Sequence, residues 1–186
     1  MKSIKFYFFC LIVMIMCFFL SYYLINNDGP SSSSYIENEI EISLIYIGCS
    51  FCPAANDDEI PIILSNLKSK IENITAANDF SFSFIGISNE HDLETGINYL
   101  DGIAQFDEIS IGNQMRNIAI QKYVWDNYTS ELTSSYPQII VVKRKYETEN
   151  HNNEIFITPD IKSEEIVIRS VGTMSMKSLV SDSLIF

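Results

Sequence analysis

From Phe6 to Ile25 twenty consecutive residues carry no charge, and apolar side chains dominate the run. About twenty such residues, rising 1.5 Å each, match the roughly 30 Å hydrocarbon layer of a bilayer. A buried core helix would be shorter and amphipathic, so this end of the chain is expected to form one transmembrane helix (1–25). The competing expectation is a cleaved signal peptide, whose apolar region is shorter and closes on small residues such as Ala-x-Ala. The first alanine of this chain is Ala54, which favours a retained signal-anchor. A lipoprotein signal is not supported either, since Phe8 and Phe9 precede Cys10, and Ile15 and Met16 precede Cys17. Lys2 and Lys5 flank the run on its N-terminal side, and no Lys or Arg follows until Lys68. Basic residues stay cytoplasmic, so the body of the protein is expected on the extracytoplasmic side, periplasmic or extracellular, where disulfides persist.

Residues 26–34 (Asn-Asn-Asp-Gly-Pro-Ser-Ser-Ser-Ser) read as a polar, turn-rich linker, leaving 35–186 as one globular domain. Beyond the anchor stand ten basic and 24 acidic residues, a net charge of about −14. Nucleic acid is excluded as a partner, because its binding needs cationic side chains to meet phosphates. The acidic balance reads as a solvated surface. Cys10 and Cys17 lie inside the apolar run and behave as small hydrophobes. In the outer domain Cys49 and Cys52 have only each other.

The domain alternates between two periodicities. Glu41–Gly48 is a β-rich run fit for a buried strand, and a helical stretch follows from about Cys52 to Asn73, with Ile60, Ile63, Leu64, Leu67 and Ile71 at helical spacing and Pro61 as a kink or restart. Asp79–Ser88 is a second strand. Residues 91–105 and 113–128 read as helical, separated by the short run Glu108–Ile111. Gln138–Val142 is a buried strand, Ile155–Ile157 and Ile166–Ile168 are short strands about a loop, and Met174–Ile185 is a closing helix. The order β-α-β-α(α)-β-β-α indicates an α/β sandwich with helices on both faces of the sheet.

A C-x-x-C alone is a moderate signal, since zinc sites also use it. Its placement here adds weight. Cys49 comes directly after an apolar strand and Gly48, and Cys52 is expected to open a helix, with Pro53 in the early turn where a missing N–H costs little. A helix start favours negative charge, so Cys49 is expected to be the more acidic and more exposed thiol, with Cys52 covered and placed to resolve a mixed disulfide. Gly48-Cys49-Ser50-Phe51-Cys52-Pro53, the preceding strand, the following helix and the element order together resemble the thioredoxin superfamily, over roughly Tyr35 to the C-terminus. Tyr136-Pro137 before the apolar run Gln138–Val142 is similar to that family's cis-proline at the start of a later strand.

The resemblance implies a thioredoxin-like three-layer α/β/α sandwich with a helical insertion, in which the strands ending at Gly48 and starting at Gln138 are antiparallel neighbours. It further implies that Cys49 and Cys52 are the catalytic pair and form a disulfide, and that Tyr136 and Pro137 line the substrate groove. Its thioredoxin members carry Trp before the first cysteine, Gly-Pro between the pair and a buried acid six residues upstream, where this chain has Gly48, Ser50-Phe51 and Ser43.

Other candidates read as ordinary surface or core. His91 and His151, the two histidines, lie in polar surroundings; a copper site would need one of them beside the cysteines. No second C-x-x-C supplies zinc ligands. Asp101, Asp107 and Glu108 read as a solvated acidic face, and Tyr123, Trp125 and Tyr128 as packing. The sequons at Asn73 and Asn127 matter only in a glycosylating host. The leading expectation is therefore a thiol-disulfide oxidoreductase acting on protein thiols and disulfides with a separate redox partner, needing no cofactor and no metal. Two alternatives stand beside it: an anchored thioredoxin-like adaptor with a static Cys49–Cys52 disulfide, and a copper-handling thioredoxin-like protein.

Overall fold

The computed structural model describes residues 16, 38–126, 135–151 and 154–184. The expected anchor and linker lie outside them, Met16 apart, as do Tyr128 and the Asn127 sequon; no described helix is long and apolar enough to cross a membrane. The chain divides into two units, Met1–Tyr35 and Ile36–Phe186, and the cysteine pair belongs to the second.

In that second unit, strand β1 (Ile40–Gly48) leads through a 3₁₀ turn (Pro53–Asn56) to helix α1 (Ile60–Ala77) and strand β2 (Ser81–Ser88). Helix α2 (Leu93–Ile103), strand β3 (Glu108–Ile111) and a run of short helical turns (Gln114–Arg116, Ile118–Ile120, Gln121–Trp125) come next. Strands β4 (Gln138–His151) and β5 (Glu154–Val171) and helix α3 (Thr173–Ser181) complete the unit. The sheet runs β3-β2-β1-β4-β5, with β1, β2 and β3 mutually parallel and β4 antiparallel to both β1 and β5. Gly48 and Gln138 thus stand at the same end of an antiparallel pair, as the resemblance implies.

Two right-handed β-α-β crossovers stepping the same way along a sheet put both helices on one face. Here α1, α2 and α3 all pack there, against Ile42, Leu44 and Tyr46 of β1, Phe84 of β2 and Ile139 and Val141 of β4. The opposite face, built from Ile45, Ile47, Ile85, Ile87, Ile140 and Val142, is covered by Ile120, Tyr123 and Val124. The strict alternation along β1 explains this: neighbours point to opposite faces, and both faces are apolar. The sandwich is therefore asymmetric, with three helices on one side and the short turns of 118–125 on the other. Tyr123 is buried packing, as read from the sequence.

Four expectations about elements change. The helix over Cys52–Asn73 is broken at Asp57–Glu59, because Pro61 sits in the first turn of α1 and starts it. Glu108–Ile111 is a third parallel strand along the edge of β2, so the insertion is not purely helical. Over 113–128 the described helical turns are short, their longest a five-residue π stretch. Last, the two short strands at 155–168 are parts of one long strand, β5. Charge had disguised β4 and β5. Lys143 faces Glu165 and Arg144 faces Glu164 across the ladder, opposite-charge pairs that support the pairing. Pro159 fits because β5 is an edge strand, where a missing N–H need not break the sheet.

Candidate active site

Cys49 follows the last residue of β1, and its sulfur is bonded to that of Cys52, with the two Cα atoms 5.4 Å apart. The turn between them is closed locally. Cys52 N–H donates to Cys49 O (3.3 Å), Ala55 N–H donates to Cys52 O (2.9 Å), and Asn56 Nδ2 donates to the carbonyls of Ser50 (2.6 Å) and Cys52 (3.0 Å). Cys52 caps the 3₁₀ turn rather than a long helix. A single four-residue turn has little macrodipole, so it offers a Cys49 thiolate less stabilisation than the long helix expected from the sequence.

Exposure also differs from expectation. Cys49 is fully buried in this oxidised form, whereas Cys52 is partly exposed and packs at the edge of the helical-face core. Phe51, between them, is 57% exposed. The reason lies in position: Cys49 continues the central strand between β2 and β4, while Cys52 has already left the sheet.

Tyr136 and Pro137 come to the same place. The register Ile47–Gln138, extended by two residues, sets Cys49 level with Tyr136. The Tyr136–Pro137 peptide bond is cis. Pro137 O accepts from Gly172 N–H (2.8 Å), which ties this loop to the start of α3. Tyr136 is partly buried and packs against both cores, and burial raises its phenol pKa above the ordinary value. The four residues singled out from sequence therefore converge at the ends of β1 and β4.

Three further residues complete the site. Behind Gly48 lie two buried phenols: Tyr46 and Tyr99 pair hydroxyl to hydroxyl at 2.7 Å, and Tyr99 donates to Ala55 O (2.9 Å). Burial raises both phenol pKa values. That of Tyr99 reaches about 12, with the Glu90 charge adding to burial and hydrogen bonds from Tyr46 and the Cys49 backbone opposing it. A Cβ on Gly48 would lie 2.3 Å from Tyr99 Oη, so the residue before Cys49 is glycine for want of space. Glu90 is the third. Its side chain is buried, and one carboxylate oxygen accepts the Ser50 N–H at 2.5 Å. Because β1 and β2 are parallel with Gly48 level with Ser88, residue 90 falls beside residue 50. That offset is the only signal that could have pointed to Glu90 in the sequence, and it needs the pairing to be known.

Other candidates stand elsewhere. Ser43, at the place of the family's buried acid, belongs to a polar cluster at the far end of β1, with Glu41, Ser83, Arg144 and Tyr146. A ring nitrogen of His91 lies 2.6 Å from Gln114 Nε2. Asp107 is exposed and bonds Phe84 N–H at the start of β3. Among the described residues no group of three or more His, Cys, Asp or Glu side chains is arranged to hold a metal ion.

No protein-family model matches the sequence, and no curated protein sequence matches it. Among solved structures, a thiol:disulfide interchange protein DsbE from Chlorobium tepidum is similar over 76% of this chain and 76% of its own (10% identity, TM-score 0.40). A thiol-disulfide oxidoreductase from Bacteroides fragilis NCTC 9343 is similar over 76% of this chain and 80% of its own (15% identity, TM-score 0.39).

Proposed function

We propose that the protein is a thiol-disulfide oxidoreductase acting on extracytoplasmic proteins through the Cys49–Cys52 pair, held at the membrane by its N-terminal helix. The observation that carries this reading is the convergence of the C-x-x-C disulfide with the Tyr136–Pro137 loop at adjacent strand ends. In the reducing direction one cysteine thiolate attacks a substrate disulfide. A protein–substrate S–S bond forms, the substrate's own S–S bond breaks, and the sulfur that leaves takes up a proton. The second cysteine, as thiolate, then attacks the protein-side sulfur, closing the Cys49–Cys52 bond and releasing the second substrate thiol. Two electrons pass from the pair to the substrate, and the reverse sequence oxidises a substrate dithiol. In this reading Tyr136 and Pro137 line the groove for the substrate chain.

The adaptor reading keeps one supporting observation, the complete burial of Cys49 in the oxidised pair. A single measurement separates the two: equilibrate the full-length protein in detergent with glutathione buffers and quantify the Cys49–Cys52 disulfide. Exchange should be complete and reversible within the range set by the buffers. A pair that stays oxidised under millimolar dithiol reductant in the folded state would establish the static disulfide instead. Single-cysteine forms then assign the roles: C52S should accumulate a mixed disulfide with substrate if Cys49 attacks, and C49S should do so if the exposed Cys52 does.

A further inference from the structure

Glu90 has two properties that no structural need explains together. It is 3% exposed, and among the described residues its carboxylate forms no ion pair; its side-chain hydrogen bond comes from a backbone N–H, that of Ser50. A carboxyl group buried without a cationic partner is costly. Tyr99 of α2 lies close enough for the Glu90 charge to raise its phenol pKa, and Tyr46 of β1 bonds to that phenol. Cys49 and Cys52 flank the turn. His91, next along the chain, is exposed and turned to Gln114, and exposed Asp92 caps α2. The Glu90 backbone is fixed as well, its carbonyl accepting Gln114 N–H at 3.0 Å.

We infer that Glu90 is a positioning residue of the cysteine pair, clamping the Cys49–Cys52 turn through Ser50 N–H and opposing, by its charge, a thiolate on Cys49. This rests on the redox reading of the pair. Two effects act in the same direction. A carboxylate beside a thiolate repels it, and the Ser50 amide, the first N–H after Cys49, is already committed to Glu90 and is withheld from the sulfur. Disfavouring the thiolate destabilises the reduced pair relative to the disulfide wherever the thiol would ionise. The pair is thereby biased toward giving up its electrons, which is the poise of a reductant. It also reverses the expectation from the sequence that Cys49 is an acidified thiol.

The test uses the full-length protein in detergent. Cys49 ionisation is followed by ultraviolet thiolate absorbance in C52S, referenced to C49S/C52S, with and without Glu90→Gln. The glutamine keeps the shape and the acceptor for Ser50 N–H and removes only the charge. Expected are a Cys49 midpoint above the free-thiol value of about 8.5 in C52S and a fall of about one pH unit in C52S/E90Q, roughly tenfold in thiolate at a given lower pH. In the two-cysteine protein at alkaline pH, E90Q should move the glutathione equilibrium toward the dithiol by a similar factor. A midpoint at or below the free-thiol value in C52S, or one unmoved by E90Q, overturns the inference. The first of these outcomes needs no Glu90 variant to fold. A pair that never exchanges with glutathione overturns the proposed function, and the Cys49 midpoint still decides the role of Glu90.

Discussion

Alanine at Gly48 is the most direct probe of how the site is built. A methyl group there would stand 2.3 Å from Tyr99 Oη, 2.6 Å from Tyr46 Oη and 2.9 Å from Tyr46 Cζ. Neither phenol has a free direction in which to retreat, since both rings are buried and their hydroxyls are bonded to each other and to Ala55 O. Overpacking of this kind costs about 1–3 kcal/mol. Displacing a buried hydroxyl from its partner adds about 1–3 kcal/mol. A loss of about 4 kcal/mol follows from taking roughly the middle of each range. For a domain of about 150 residues it corresponds to a fall in Tm of about 8–16 °C. Thermal and urea unfolding of the oxidised protein would measure it. The decisive arm is the double mutant: Y99F removes the atom nearest the new methyl, so G48A/Y99F should be at least about 1 kcal/mol more stable than the two single losses predict, twice the usual additivity error. Additivity within about 0.5 kcal/mol, or a G48A protein as stable as wild type, would refute the account of Gly48.

Two other predictions concern parts of the fold away from the cysteines. Burial raises the pKa of Glu41, but hydrogen bonds from Ser83, Tyr146 and Ser43 and the Arg144 guanidinium outweigh it, so its folded pKa lies below the ordinary 4.5. Stability from this group is present above that value and is lost as pH falls through the lowered one; E41Q should cost about 2 kcal/mol near neutrality, by weakening the hydrogen bonds to a charged acceptor while Glu164 still pairs Arg144, and should flatten the acid limb of a stability–pH curve. Asn117 caps the turn at Ile118, accepting Ala119 N–H (2.9 Å) and Ile120 N–H (3.4 Å), and also bonds Ser110 of β3; N117A should cost about 1–2 kcal/mol and speed amide hydrogen exchange across 118–125, whereas unchanged exchange there would count against the cap.

What the sequence disclosed and what it withheld divide along a physical line. β1, β2 and the start of β4 were legible because each carries a short apolar stretch buried on both faces, Leu44–Ile47, Phe84–Ile87 and Ile139–Val142. The cysteine pair and Tyr136-Pro137 were legible because their chemistry is carried by residue type. β3 escaped because four half-exposed residues hold no period, and β5 escaped because Glu164 and Glu165 look like a loop until Arg144 and Lys143 are found opposite them. Glu90, Tyr46 and Tyr99 were silent for a deeper reason. Glu90 lies 40 positions from Ser50, and nothing local to either distinguishes it from the chain's other acids. Its place is decided by the parallel register of β1 and β2, which the chain acquires only when Ile45, Ile47, Ile85 and Ile87 meet on one face and Leu44 and Phe84 on the other. Shifting that register by one residue would turn every β2 side chain to the wrong face. The packing that aligns the two strands therefore also delivers the carboxylate to the turn, and the electrostatic setting of the cysteines is a consequence of core packing rather than of the C-x-x-C motif. Two chains with identical Gly-Cys-Ser-Phe-Cys-Pro turns can differ in thiol chemistry if the residue two places beyond their second strand differs.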